Sequence, residues 1–153
     1  MKLEDNAVQV ATIGFTGKSA QRFFDLLKHA KVRTVLDVRL HNTSQLAGFA
    51  KKQDLRYFLE NLCSAAYVEM PELAPEPALL KRYQSKELTW DEYEAAYLEL
   101  IAKRRVEKQL DIDLFRSACV LCSEHLPHHC HRRIAVEYLN TQWNSGLKIT
   151  HLC

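Results

Sequence analysis

Two short β-branched runs separated by one helical segment constrain this chain most. Val8 to Ile13 is apolar and stops at Gly14-Phe15-Thr16-Gly17, and Arg33 to Val38 repeats the pattern. Between them Ser19 can cap a helix whose apolar face is Phe23, Phe24, Leu27 and Ala30. Strand, glycine turn, helix and strand make a βαβ unit, in which the two strands run parallel and the crossover is right-handed. A parallel sheet must be covered on both faces, so the rest of the chain should supply further helices and strands.

The remaining sequence supplies them. After the polar loop His41-Asn42-Thr43-Ser44, helical spacing returns at Leu55, Phe58, Leu59 and Leu62, and Ala66 to Met70 reads as a third strand. Pro71-Glu72-Leu73-Ala74-Pro75-Glu76-Pro77 is a loop, because each proline removes a donor and restricts its predecessor. A short helix over Ala78 to Ser85 follows. Thr89-Trp90-Asp91-Glu92 then forms a capping box that opens a long helix with Trp90, Tyr93, Tyr97 and Ile101 on one face. That aromatic stripe reads as core packing rather than a base-stacking platform. A helical turn over Leu110 to Phe115 leads into a fourth strand, Ala118 to Cys122. The last helix, near Cys130 to Trp143, buries Ile134, Tyr138, Leu139 and Trp143, with Gly146 placed for a left-handed C-terminal cap, and Leu147 to Leu152 is the fifth strand. The expected fold is α/β: a mostly parallel five-stranded sheet with helices on both faces and a helical insertion before the fourth strand. No linker or repeat divides it, so one domain over residues 1–153 is expected.

Composition narrows the function classes. With 153 residues, 47% of them hydrophobic, the chain can bury about 70% of its unfolded surface and needs no metal or disulfide as a staple. A formal net charge of +2 is too small to argue for nonspecific nucleic-acid binding. Lys103-Arg104-Arg105 reads as cations at a helix C-terminus. No run approaches a membrane span and the first residues carry no apolar leader, so no membrane association and a cytoplasmic location are expected. Five cysteines without a regular framework fit reduced thiols, with Cys63 and Cys119 expected in the core.

Chemistry collects in one stretch, Cys122-Ser123-Glu124-His125-Leu126-Pro127-His128-His129-Cys130-His131-Arg132-Arg133. Ligands of open parallel sheets bind beyond the carboxyl ends of the strands. Gly14 and Thr16, Asp37 and Arg39, Glu72, and Cys122 and Glu124 all fall at such ends, while Cys130, His131 and Arg132 open the helix after the fourth strand. Asp37 and Glu124 are candidates for acid/base or nucleophilic chemistry, with Cys122, Cys130 and His131 beside them. Gly14, Thr16, Arg39, Ser44 and Arg132 are candidates for holding substrate, and a guanidinium beside helix-start amides favours an anion.

Zinc would take Cys122 and Cys130 with two of His125, His128, His129 and His131. The spacing matches no common zinc pattern, however, and the adjacent Cys130 and His131 are not expected to face one ion, so no metal ligands are assigned. An activated or redox cysteine and a structural thiol remain the other readings.

The residues Thr12-Ile13-Gly14, Asp37-Val38-Arg39 with Ser44, Phe49-Ala50-Lys51, Leu121-Cys122-Ser123-Glu124 and Cys130-His131-Arg132 resemble the bacterial and archaeal family named domain of unknown function 488. The similarity runs from about Val8 to Leu152. The resemblance implies a compact α/β domain with clustered motif residues and brings no reaction or cofactor. Phe15 and Thr16 stand where many members have histidine and serine, a proline usual before Ser44 is absent, and no glycine pair follows Pro71-Glu72-Leu73. The function expected is a small enzyme that binds an anionic or nucleotide-like molecule at the strand ends. The alternatives are a metal-binding or thiol-redox module and a nucleic-acid-binding accessory domain that uses Arg132, Arg133 and Lys103 to Arg105.

Overall fold

The computed structural model describes residues 8–41, 48–123, 129–144 and 146–153. Five strands form one all-parallel sheet: β1 (Gln9–Gly14), β2 (Thr34–Asp37), β3 (Ala66–Glu69), β4 (Ala118–Cys122) and β5 (Lys148–Leu152). Their spatial order is β3-β2-β4-β1-β5.

Helix α1 (Ala20–His29) crosses from β1 to β2, and its start is fixed by Ser19, whose side chain accepts from the Arg22 amide. Helix α2 (Lys52–Phe58) runs into a π-helical turn, Leu59–Cys63, and leads to β3. The insertion before β4 contains α3 (Pro77–Gln84), α4 (Trp90–Arg104) and α5 (Val106–Gln109), followed by a 3-10 turn over Ile112–Phe115. The Thr89–Glu92 capping box forms with both reciprocal bonds, as the sequence indicates. Helix α6 (His131–Trp143) joins β4 to β5.

Strand parity divides the interior into two apolar layers. On one face Ala11, Ile13, Val35, Cys119 and Leu121 meet Phe23, Phe24 and Leu27 of α1 and Leu55 of α2. On the other, Val10, Leu36, Val38, Val120 and Cys122 meet Tyr93, Tyr97 and Ile101 of α4 and Ile134, Ala135 and Leu139 of α6. Central strand β4 is buried at every residue, the mark of a strand covered on both sides.

Several local expectations differ from the fold; Cys63, expected in the core, is only half-buried at its edge. Ala30 is the exposed C-cap of α1 and not part of its buried face, because the helix ends at His29. Leu62 is 49% exposed, since the π turn shifts the helical phase after Leu59. The left-handed residue that closes α6 is Asn144 (φ 49°, ψ 41°), whose short amide side chain tolerates that conformation; Gly146 also has positive φ but lies beyond the cap.

The connections position the site. Those after β1 and β2 leave through α1 and α2 on one face, whereas the one after β4 leaves through α6 on the other. β4 lies between β1 and β2, so neighbouring chain segments diverge at its carboxyl end and open a crevice there. The ladder continues past the strands, with Thr16 N–H donating to the Ser123 carbonyl at 3.0 Å and Val38 N–H to that of Leu121 at 3.1 Å.

Candidate functional site

The end of β2 carries a buried ion pair. Asp37 and Arg39 are 2% and 5% exposed, and two residues of extended chain bring the guanidinium back over the carboxylate. Arg39 Nε donates to Asp37 Oδ1 at 2.9 Å and Nη2 to Oδ2 at 2.8 Å, a bidentate fork closed by the Arg39 amide on Oδ1 at 3.1 Å. The Tyr67 hydroxyl donates to Oδ2 at 2.5 Å. Burial, then the bond to Asp37 and the carboxylate's charge, push the Tyr67 phenol far above its ordinary range. The guanidinium also lies 5.5 Å from the centroid of the Phe15 ring. Its Nη1 is buried and has no hydrogen-bond partner among the described residues. Asp37 therefore acts as the clamp that orients Arg39.

The other half of the site lies on the opposite face of the sheet. Cys122 ends β4, Cys130 is the N-cap of α6 and His131 is its first helical residue; they are 5%, 2% and 7% exposed. One ligand atom from each falls within 4.8 Å of the others. The Cys122 sulfur is 3.5 Å from His131 Nδ1 and 3.8 Å from Nε2. His131 Nε2 lies 2.8 Å from the Val38 carbonyl oxygen. A carbonyl only accepts, so Nε2 carries the proton and Nδ1 presents its lone pair toward the thiol. The Tyr97 ring packs edge-on against the imidazole at 5.4 Å, itself anchored by its hydroxyl donating to the Leu73 carbonyl at 2.6 Å. Burial pushes the Cys130 thiol well above its ordinary range, and the bond to Cys122 adds to this.

The expectation that adjacent Cys130 and His131 diverge is overturned. Cys130 has extended backbone (φ −143°, ψ 138°) and His131 is helical, and the bend at the cap folds both side chains toward Cys122.

Both halves open on one cleft of about 260 Å³ at the carboxyl ends of β2 and β4. Arg39, Cys122, Cys130 and His131 line it together with Trp90 and His129. Trp90 is half-buried, unlike Tyr93 and Tyr97, and its indole stacks on the exposed His129 imidazole at 5.0 Å and 23°.

The remaining sequence candidates are placed differently. Gly14 ends β1 beside Cys122 in register, and Thr16 is exposed one step beyond. Arg132 is wholly buried and does not line the cleft; its charge and that of Arg22 add to burial in holding the Lys18 amine below its ordinary range. Arg133 pairs with Glu94 and Glu137 on the helix surface. Glu72 turns its backbone to Arg104, which donates to the Glu72 and Ala74 carbonyls at 3.0 and 2.6 Å. Ser44, Glu124, His125 and His128 lie outside the described residues. Tyr67 and Tyr97 were not singled out as site residues. Parity marks Tyr67, which is in register with Val35 on the Asp37 face of the sheet.

The profile of the family named domain of unknown function DUF488 matches residues 19–139. The chain belongs to this family. The match begins at Ser19, the cap of α1, and ends at Leu139, so it takes in both halves of the candidate site. No curated protein and no solved structure matches the chain. Among the described residues no helix is long and apolar enough to cross a membrane, and all five cysteines are free thiols.

Proposed function

We propose that this DUF488 protein is an enzyme acting on a small anionic molecule, such as a phosphate-bearing nucleotide, bound in the cleft at the carboxyl ends of β2 and β4. The observation that carries the reading is Arg39: a guanidinium fixed by Asp37 and Tyr67, lining the same cleft as the Cys122, Cys130 and His131 centre. A guanidinium held in place before the ligand arrives loses little entropy on binding an oxyanion. The aromatic wall of Trp90 and His129 offers a planar ligand a surface to stack on.

In this reading Arg39 docks the anion and Asp37 positions Arg39. The Cys/Cys/His centre is the reacting group, and Glu124, next in sequence to Ser123 of the cleft wall, is the acid/base group. Gly14 keeps the strand end beside Cys122 free of a side chain, and Ser44 and Thr16 are further polar groups for the ligand. Arg132, wholly buried and not lining the cleft, is given no contact with the ligand. The nucleic-acid reading draws no support, because Arg104 and Arg133 are committed to carbonyls and carboxylates and Arg132 is buried.

The test is calorimetric titration with inorganic phosphate and nucleoside monophosphates, followed in parallel by Trp90 fluorescence in a Trp143→Phe background. Binding should weaken by about tenfold or more in Arg39→Lys, which keeps the charge but loses the guanidinium that Asp37 holds in place. A wild-type protein that binds none of these anions, or an Arg39→Lys variant that binds them equally well, overturns the reading.

A further inference from the structure

We propose that Cys122, Cys130 and His131 supply three ligands, the three found among the described residues, to a thiophilic divalent cation, zinc by its chemistry, at the edge of the cleft. The inference deepens the reading above by naming the cofactor of the reacting centre, and it rests on that reading only for the substrate that would meet the cation.

Three independent features support it. The first is spacing. A tetrahedral zinc ion with sulfur at about 2.3 Å and nitrogen at about 2.1 Å has a sulfur–nitrogen edge of about 3.6 Å. Cys122 Sγ and His131 Nδ1 are 3.5 Å apart, and the Cys130 ligand atom completes a set that spans no more than 4.8 Å. The second is the outer partner of the histidine. Metal-binding imidazoles donate their second N–H to a carbonyl or carboxylate, which fixes the ring and its tautomer. His131 Nε2 does this to Val38 at 2.8 Å, leaving Nδ1 as the ligand atom beside the thiol. The third is access. The centre is packed against Tyr97 yet lines a cleft, so that among the described residues three ligands face a space that a ligand from solution can enter, as in catalytic zinc sites.

A two-cysteine, one-histidine donor set suits zinc, whereas carboxylate-poor sites do not hold magnesium or calcium. A bound cation there would polarise a ligand oxygen or activate a water within the cleft that Arg39 lines.

The test uses untagged full-length protein. Elemental analysis after equilibration with zinc should give about one equivalent in wild type, and less than about a tenth in Cys122→Ser, Cys130→Ser and His131→Ala. Cobalt substitution should give thiolate-to-cobalt absorption and the intense visible bands of a tetrahedral site. Should the variants fail to fold, the wild type alone decides. One equivalent of zinc should displace cobalt from the wild type and abolish the thiolate-to-cobalt absorption. Absence of stoichiometric zinc, zinc retained in Cys122→Ser, or a Cys122–Cys130 disulfide in place of the metal would each overturn the site; the last would identify a thiol-redox pair. Zinc binding with no anion binding would remove the substrate reading and leave the metal site standing.

Discussion

The His131 imidazole donates from Nε2 to the carbonyl oxygen of Val38 at 2.8 Å, joining the first turn of α6 to the chain just beyond β2. Cys122 closes the third side of this arrangement from β4. The bond satisfies a buried carbonyl and fixes the ring, so its loss has a stability cost that is separable from any ligand effect. His131→Ala should lower unfolding free energy by about 1–3 kcal/mol, read by urea denaturation of the metal-free protein. An unchanged midpoint would show that the Val38 contact contributes nothing.

The Asp37–Arg39 pair should behave as buried ion pairs do. Asp37→Ala leaves the guanidinium without its bidentate partner and should cost about 3–5 kcal/mol. The double variant Asp37→Leu with Arg39→Met should recover most of that stability while losing anion binding. A double variant as unstable as the single one would mean that the packing of the strand end, not the charge pair, sets the cost.

Tyr67 gives an alkaline signature. Its phenol ionises near pH 10 in the unfolded chain but far higher when folded, through burial and the Asp37 carboxylate. Above pH 10 the unfolded state therefore binds fewer protons than the native state, and stability must fall as pH rises. Its contribution is fully present below pH 10. Tyr67→Phe should flatten that fall in denaturation midpoints measured from pH 9 upward. An identical alkaline slope in the variant would show that Tyr67 does not titrate as described.

Arg104 should govern the proline-rich loop. One Nη1 bonds the carbonyls of both Glu72 and Ala74, and Pro75 beside them forms part of the cleft wall. Arg104→Ala should reduce stability by about 1.5–3 kcal/mol and open the segment around residues 71–77 to limited proteolysis. Cleavage no faster than in wild type would locate the loop's rigidity in its prolines instead.

The sheet and its coverage were legible in the sequence because parallel strands buried on both faces read as short β-branched runs. β4 was expected at the residues where it forms, and the capping box of α4 and the Ser19 cap of α1 form as their side chains dictate. The π turn after Leu59 left no local mark, so Leu62 was placed inside. At the site, Asp37, Arg39 and Cys122 were legible at strand ends, and Cys130 and His131 at the start of the helix that follows β4. Their grouping was not. Spacing along the chain gave no view of the bend at Cys130, where one extended residue turns a pair of neighbours toward the same point. It also gave no sign that Arg132 runs inward while Arg133 pairs at the surface, since both are equally basic.

Strand parity at the end of β2 has a consequence for how this chain tolerates change. Asp37 serves the α1 and α2 layer by holding Arg39, while the next residue, Val38, serves the opposite layer through the carbonyl that steadies His131. Both tasks are set by one alternating backbone, so adding or deleting a single residue inside β2 would exchange their sides together. A substitution at Asp37 reaches only the first task, whereas a one-residue insertion inside this four-residue strand would disturb both.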